Sequence, residues 1–316
     1  MNPTLIIYDT KYGSTGNVAE LMAKVLGPAT MIRPSEFDES HSNARNVVIG
    51  SPVYGEKIMP GIAEFVKEHG AWLSDRRVAL FTVSISPKEE YVNQMKSLLG
   101  DCVVWQQCFG GVMDPADWDN EDSSAMERFA VKVGHKFSRV DKTDAEFVAK
   151  NAIELRRIFR ESDQCPEEVK GKRIEEFLNS HNSCTLGMAG AYGVRVTPIE
   201  YIYIKGAFYL LSEGGEKFAN IEVDDRVSVA VYDPFTGFDK LAGLQVTGRA
   251  ELIPFESDEY QDVAAERGLE YDKLKEMPIR LNMIKIKVEK YEALMSEFAK
   301  QGYDANQILE AGATDE

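Results

Sequence analysis

One segment near the start restricts the possible folds more than any other. Thr4-Leu5-Ile6-Ile7-Tyr8 is a short run with β-branched and aromatic content. It leads directly into a loop of hydroxyls and glycines, Asp9-Thr10-Lys11-Tyr12-Gly13-Ser14-Thr15-Gly16-Asn17. Val18, Leu21, Met22 and Val25 then recur at helical spacing, and Gly27-Pro28 ends the pattern. A strand buried on both faces that feeds a helix through a polar loop is the opening of a parallel α/β sheet. At the start of such a helix, free backbone N–H groups and the positive dipole end converge, and the favoured occupant is an anion such as a phosphate. The loop holds no lysine in the P-loop arrangement and no G-x-G-x-x-G. Thr10, Ser14, Thr15 and Asn17 offer neutral donors instead. On this segment alone, the alternative that Ser14 or Thr15 merely caps the helix stays open.

The pattern then repeats. Asn46 to Gly50 reads as a second buried strand, ending in Ser51-Pro52-Val53-Tyr54-Gly55-Glu56 before an amphipathic helix around Ile62, Phe65 and Val66. Arg77 to Val83 reads as a third, ending in Ser84-Ile85-Ser86-Pro87. Asp101 to Trp105 is a fourth, running on to Phe109-Gly110-Gly111-Val112-Met113. This alternation predicts a doubly wound α/β domain, whose ligands bind outside the carboxyl ends of the strands. A helix around Met126, Phe129, Val133 and Phe137 is expected to complete it. Thr143-Asp144-Ala145-Glu146 has capping-box form, with a helix behind it through Val148, Ala152, Leu155 and Phe159. The polar stretch from Glu161 to Gly171 reads as a linker.

The second half has a different texture. After a short helix, Arg173 to Ser180, come strands at Cys184–Ala189, Val194–Tyr203, Ala207–Leu211, Arg226–Tyr232, Leu241–Ile253 and Leu281–Val288. Few helices interrupt them, which predicts a small antiparallel barrel. Lys217 follows two glycines at a helix start, so an ammonium and free N–H groups point the same way.

Composition narrows the function. The 316 residues carry a formal net charge of −16, and both halves are acidic. That argues against a nucleic-acid binder and against docking on anionic lipid. No apolar run reaches membrane-span length and the N-terminus lacks a signal-peptide pattern, so a cytoplasmic protein is expected. Cys102, Cys108, Cys165 and Cys184 form no C-x-x-C pair, and His41, His69, His135 and His181 show no ligand spacing, so no metal site is expected.

Both halves resemble known flavin-binding families. Thr10-x-x-Gly13-x-Thr15, with the Tyr54-Gly55 and Phe109-Gly110-Gly111 turns, is similar to flavodoxins, in particular to the flavodoxin domain of menaquinone-dependent protoporphyrinogen oxidase. The resemblance covers residues 1–140 and implies that Thr10, Tyr12, Gly13, Ser14 and Thr15 hold an FMN phosphate. It also implies that Ser51, Pro52, Tyr54, Gly55, Phe109, Gly110 and Gly111 enclose the ring, with Gly55 free to turn over beside it. The basic, aromatic insert associated with quinone access in that enzyme is missing.

Arg195-Val196-Thr197-Pro198, Leu211-Ser212…Lys217, Asp225 to Ser228, and Gln245-x-x-Gly248-x-Ala250 resemble the FMN-binding split barrel of the pyridoxamine 5'-phosphate oxidase superfamily. This implies that Lys217 and Ser212 hold a flavin phosphate beside Arg195. Thr197 and Pro198 would line the ring, Val196 would join them in binding the cofactor, and Gln245 would help from a neighbouring strand. The readings from the residues alone are a solvated Lys217, a cross-strand ion pair for Arg195 and an edge-strand polar residue for Gln245. The C-terminal segment after Gln301 carries neither Arg nor His, so vitamin B6 oxidation is not expected, and no histidine follows His181 for a C-terminal haem ligand.

The expected organisation is a flavodoxin-like doubly wound parallel sheet (1–140), a helical linker (141–171) and a mainly antiparallel β split barrel (172–310). The expected function is an FMN-dependent oxidoreductase with two flavin sites and a small-molecule or protein redox partner, and a homodimer through the barrel. A flavodoxin-type electron carrier, a flavin-binding sensor, and a deazaflavin in the second domain are the alternatives the resemblance leaves open.

Overall fold

The computed structural model describes residues 3–134, 136–161 and 163–312; His135 and the opening Met1-Asn2 lie outside them. The chain divides into two compact units, Met1–Ser162 and Asp163–Glu316.

The first unit contains β1 (Thr4–Tyr8), α1 (Ser14–Leu26), β2 (Ala29–Ile32), β3 (Asn46–Tyr54), β4 (Lys57–Ile58), α2 (Pro60–Glu68) and α3 (Gly70–Ser74). It continues through β5 (Arg77–Ser84), α4 (Glu89–Leu99), β6 (Val103–Gly110), β7 (Val112–Met113), α5 (Asn120–Val133), β8 (Val140–Asp141) and α6 (Ala145–Glu161). The strand order β2-β1-β3-β5-β6, all parallel, is the flavodoxin-like doubly wound order. Alternation along β1 divides the core into two layers. Ile6 faces Val18, Met22, Phe81 and α6, whereas Leu5 and Ile7 face Ile62, Phe65 and Val92 of α2 and α4. Helices cover both faces, so the central strands are apolar throughout.

The stretch expected as a linker holds two helices. Its first, α6, packs on the core of the first unit through Val148, Ala152, Leu155 and Phe159. The cap of α6 differs from the expected box: Asp144 Oδ1 accepts from Phe147 N at 2.8 Å, while the Thr143 hydroxyl donates to Asp141 Oδ1 at 2.7 Å. A carboxylate is the stronger acceptor for a helix-start N–H, and Thr143 is already committed.

The second unit opens with α7 (Glu167–Asn179), then β9 (Ser183–Gly190), β10 (Gly193–Glu200), β11 (Ile202–Ile204), β12 (Ala207–Ser212), α8 (Glu216–Val223) and β13 (Arg226–Tyr232). It closes with β14 (Ala242–Ile253), α9 (Asp258–Glu266), α10 (Tyr271–Glu276), β15 (Asn282–Met295), α11 (Ser296–Lys300) and β16 (Asn306–Glu310). The antiparallel order is β10-β9-β13-β14-β15-β12-β11, with β16 on β15, a curled half-barrel consistent with a split barrel. The register of β14 on β15 shifts at Thr247/Gly248. A Cβ on Gly248 would lie 2.3 Å from the Lys287 carbonyl oxygen, so a residue without a side chain is required where the ladder bulges. The segment after Gln301, where no strand is expected from the sequence, supplies β16. Gln307 and Gln164 replace apolar patterning there, pairing with backbone of the facing segment.

Candidate functional sites in the two units

In the first unit the expected site residues lie at the carboxyl ends of β1, β3 and β6. Gly13 has φ 90° and caps α1 without any side-chain hydrogen bond, and the first turn of α1 holds no acidic residue. The helix start therefore presents its N–H groups uncapped by side chains. Gly13 N donates to Thr10 Oγ1 at 3.0 Å, which folds the loop back on itself. Ser14 Oγ accepts from Val112 N at 3.0 Å, tying the loop to β7. Thr15 is fully buried, and its hydroxyl has no partner among the described residues. A buried hydroxyl left unpaired costs about 1–3 kcal/mol, so this atom fits a ligand acceptor.

The one cation of the loop is turned away from this cradle. Lys11 Nζ sits 2.6 Å from Asp122 and 2.8 Å from Asp119, which raise its pKa. The Tyr12 hydroxyl donates to the same Asp122 carboxylate. Tyr12 and Tyr54 meet edge to face, ring centroids 6.1 Å apart. Burial, then the Tyr12 charge, pushes the Tyr54 phenol pKa up. Gly55 has φ +56° with open space around its missing Cβ, in the left-handed region that favours glycine.

Other expected residues are spoken for. Ser51 Oγ accepts from Met59 N at 2.9 Å and donates to the Pro52 carbonyl, holding the β3 turn; both residues are buried. Phe109 is 1% exposed and packs on Phe81, Trp105 and Phe147, so in this structure it is a core residue. Gly110 and Gly111 answer to packing: a Cβ would come within 1.8 Å of the Lys142 carbonyl oxygen and 2.9 Å of Val83 respectively. Ser84, at the end of β5, was not singled out from the sequence. Its hydroxyl is buried and has no partner among the described residues, and its carbonyl accepts from Gly111 N at 3.0 Å. Its place in the Ser-rich end of the third strand was the available signal.

In the second unit, a cavity of about 560 Å³ gathers Thr197, Pro198, Ser212 and Lys217 among its walls. Lys217 sits in the first turn of α8, behind Gly214 and Gly215 with φ 152° and 113°. It is only 8% exposed, so it is not a solvated surface lysine. Its ammonium donates to the Gly214 carbonyl at 2.5 Å, and Ser212 Oγ accepts from Gly214 N at 3.3 Å. Burial lowers the Lys217 pKa, and the Arg195 guanidinium adds to the shift. Arg195 pairs with Glu216 of α8 rather than across the strands, and its Nε is buried without a partner among the described residues. The Thr197 hydroxyl is likewise buried and unpartnered. Two neighbouring cations, an unpaired hydroxyl and a helix start make a cradle that an oxyanion would complete.

Two expected residues stand apart. Alternation on β10 puts Arg195 and Thr197 on the inner face and leaves Val196 62% exposed on the outer one. Gln245 is exposed on β14, opposite Ala230 and Glu292, and is not among the cavity walls; β14 is an inner strand of the sheet, not an edge. Glu200, Arg267, Leu269 and Leu281 line the cavity without having been singled out from sequence.

Residues 5–143 match the family model of the flavodoxin domain, and residues 171–295 match that of pyridoxamine 5'-phosphate oxidase. The chain joins a flavodoxin domain to a pyridoxamine 5'-phosphate oxidase-type split barrel. Both domain types support a flavin-binding protein. Among solved structures, the chain is similar to an FAD-binding protein from Mesorhizobium loti (20% identity, covering 39% of this chain and 90% of that one, TM-score 0.31). It is also similar to HutZ, the heme storage protein of Vibrio cholerae (18%, 37% and 89%, TM-score 0.33). A third is Campylobacter jejuni ChuZ (20%, 55% and 73%, TM-score 0.38). No curated protein matches the chain. Among the described residues, no helix of either domain is long and apolar enough to cross a membrane.

Proposed function

We propose that the chain is an FMN-dependent oxidoreductase of the cytoplasm with one flavin site in each domain. Electrons would enter through one flavin and leave through the other to a small-molecule or protein acceptor. One observation carries this reading: each unit holds a buried hydroxyl with no partner, Thr15 and Thr197, beside a helix start that no side chain caps. Bound FMN would supply the redox chemistry; the protein supplies position and electrostatics.

In the flavodoxin domain, Thr15 and the N–H groups of the α1 start would grip the phosphate, with Thr10 and Ser14 shaping the loop and Tyr54 beside the ring. In the split barrel, Lys217 and Arg195 would neutralise the phosphate, and Ser212 holds the Gly214 turn that aims Lys217. Thr197 and Pro198 would line the rest of the cavity.

The outer side of β10, an edge strand, carries Val194 and Val196, 84% and 62% exposed. A second copy covering this apolar stripe would make a homodimer through the barrel. The test is flavin identification and stoichiometry on the purified protein: two FMN per chain are expected, and a protein that takes up no flavin overturns the proposal. Sedimentation of the same sample should give a dimer, and a monodisperse monomer would remove that part alone.

A further inference from the structure

The split-barrel cavity has two cationic ends. At one, Lys217 lines the wall from the first turn of α8. At the other, Arg267 leaves the C-terminus of α9 and reaches Glu200 at 2.7 Å. The cavity walls Thr197 and Glu200 lie three residues apart on β10, about 10 Å of strand at ~3.3 Å per residue. Ile199, Leu211, Leu269 and Leu281 form apolar wall along the cavity.

The two members of the distal ion pair differ in how firmly they are held. The Arg267 side chain is 19% exposed, and that of Glu200 is 71% exposed. The guanidinium is largely shielded from solvent, while its counter-ion stands in it. Among the described residues, the Arg267 guanidinium makes this one hydrogen bond, although it carries five donors in a fork suited to carboxylates. A mostly buried guanidinium at the wall of a cavity, neutralised by one displaceable carboxylate, is built to exchange that carboxylate for a planar anion from a ligand.

We propose that Arg267 is the substrate-reading residue of the split-barrel site: with flavin phosphate held at the Lys217 end, the Arg267 end takes the carboxylate of an apolar or aromatic carboxylic acid, which displaces Glu200. The leucines of the cavity wall favour an apolar body on that acid. The proposal rests on the flavin reading of the same cavity. Arg267 comes from the α9–α10 corner, a segment that none of the flavin-like sequence blocks includes.

The experiment uses the full chain loaded with FMN, titrated with benzoate and with its neutral isostere benzamide while the bound-flavin absorbance is followed. Benzoate is expected to give a saturable difference spectrum, with benzamide at least tenfold weaker. Arg267→Gln should weaken benzoate at least tenfold and leave the flavin content unchanged, and Glu200→Gln should tighten it by removing the competitor. Equal binding of benzoate and benzamide, wild-type benzoate binding by Arg267→Gln, or no difference spectrum in the loaded protein overturns the proposal. Loss of flavin from Arg267→Gln also overturns it, since Arg267 would then serve the cofactor. The reading beneath it fails by a different result: no flavin in the split barrel of the wild-type protein, with Lys217→Ala leaving flavin content unaltered.

Discussion

The two candidate phosphate cradles solve one electrostatic problem in opposite ways. In the flavodoxin domain the cradle is neutral: Lys11 is drawn off by Asp119 and Asp122, and what remains are N–H groups and the Thr15 hydroxyl. In the split barrel it is cationic: Lys217 is buried beside Arg195 and its pKa is lowered for it. A neutral cradle depends on orientation, and its grip should vary little with pH. A cationic cradle binds through charge, at the cost of holding like charges together before the ligand arrives. The comparison teaches that a candidate anion site need not be lined by cations. The helix start and the unpaired hydroxyl are the features common to both.

The largest effect is expected from Lys217→Ala. A charge-assisted hydrogen bond is worth about 1.5–3 kcal/mol, so flavin affinity of the second site should fall roughly ten- to hundredfold, with the first site unchanged. Thr15→Val is expected to act more weakly and with opposite signs on the two states. It removes one hydrogen bond from an uncharged donor to the bound phosphate, worth about 1.5 kcal/mol, the low end of the charge-assisted range. It also removes an unsatisfied buried hydroxyl from the free protein, at nearly constant volume. Flavin affinity at the first site should therefore drop several-fold, while thermal stability of the apo protein holds or rises. A fall in apo stability on Thr15→Val would show that the hydroxyl already has a partner.

Titration separates the cradles further. The Lys217 pKa lies below its ordinary value, and a bound phosphate prefers the charged ammonium. Affinity at the second site should be full below that lowered pKa and should fall as pH rises through it, whereas Lys217→Ala should lose that pH dependence. The titratable neighbours of the first cradle, Lys11, Tyr12 and Tyr54, have raised pKa values instead, so its affinity should stay level over the range in which Lys217 loses its proton. Calorimetric titrations at a series of pH values read both. The smallest effect concerns the thiols. Burial pushes the Cys184 pKa up to about 12 and also raises that of buried Cys165. Alkylating reagents should label neither in the native protein, and labelling of Cys184 at neutral pH would mean the barrel core opens locally.

The parallel sheet was legible because its strands are buried on both faces and its loops fall at one end. The barrel was legible from the texture of short strands; the Lys205-Gly206 turn joining β11 to β12, with φ 49° and 81°, is where the dipeptide pointed. The features the sequence left hidden share a physical origin. Phe109 reads as a ring-stacking aromatic in sequence, but depth in the core depends on how α6 folds back across β6. Gly110 and Gly111 look like ligand glycines, yet the approach of the Lys142 carbonyl and of Val83 requires them. Val196 and Gln245 fell within the right sequence blocks, but strand alternation and register set which way they face. Arg267 was invisible because nothing local marks it; its meaning comes from Glu200, 67 residues away in sequence.

The most direct test of two separate cradles is an FMN titration of the apo protein, followed by quenching of flavin fluorescence, in wild type, Thr15→Val, Lys217→Ala and the double variant. Two classes of site should appear in the wild type, with Thr15→Val weakening one, Lys217→Ala weakening the other, and the double variant weakening both. A single class of site, or two single variants that weaken the same class, would contradict the account.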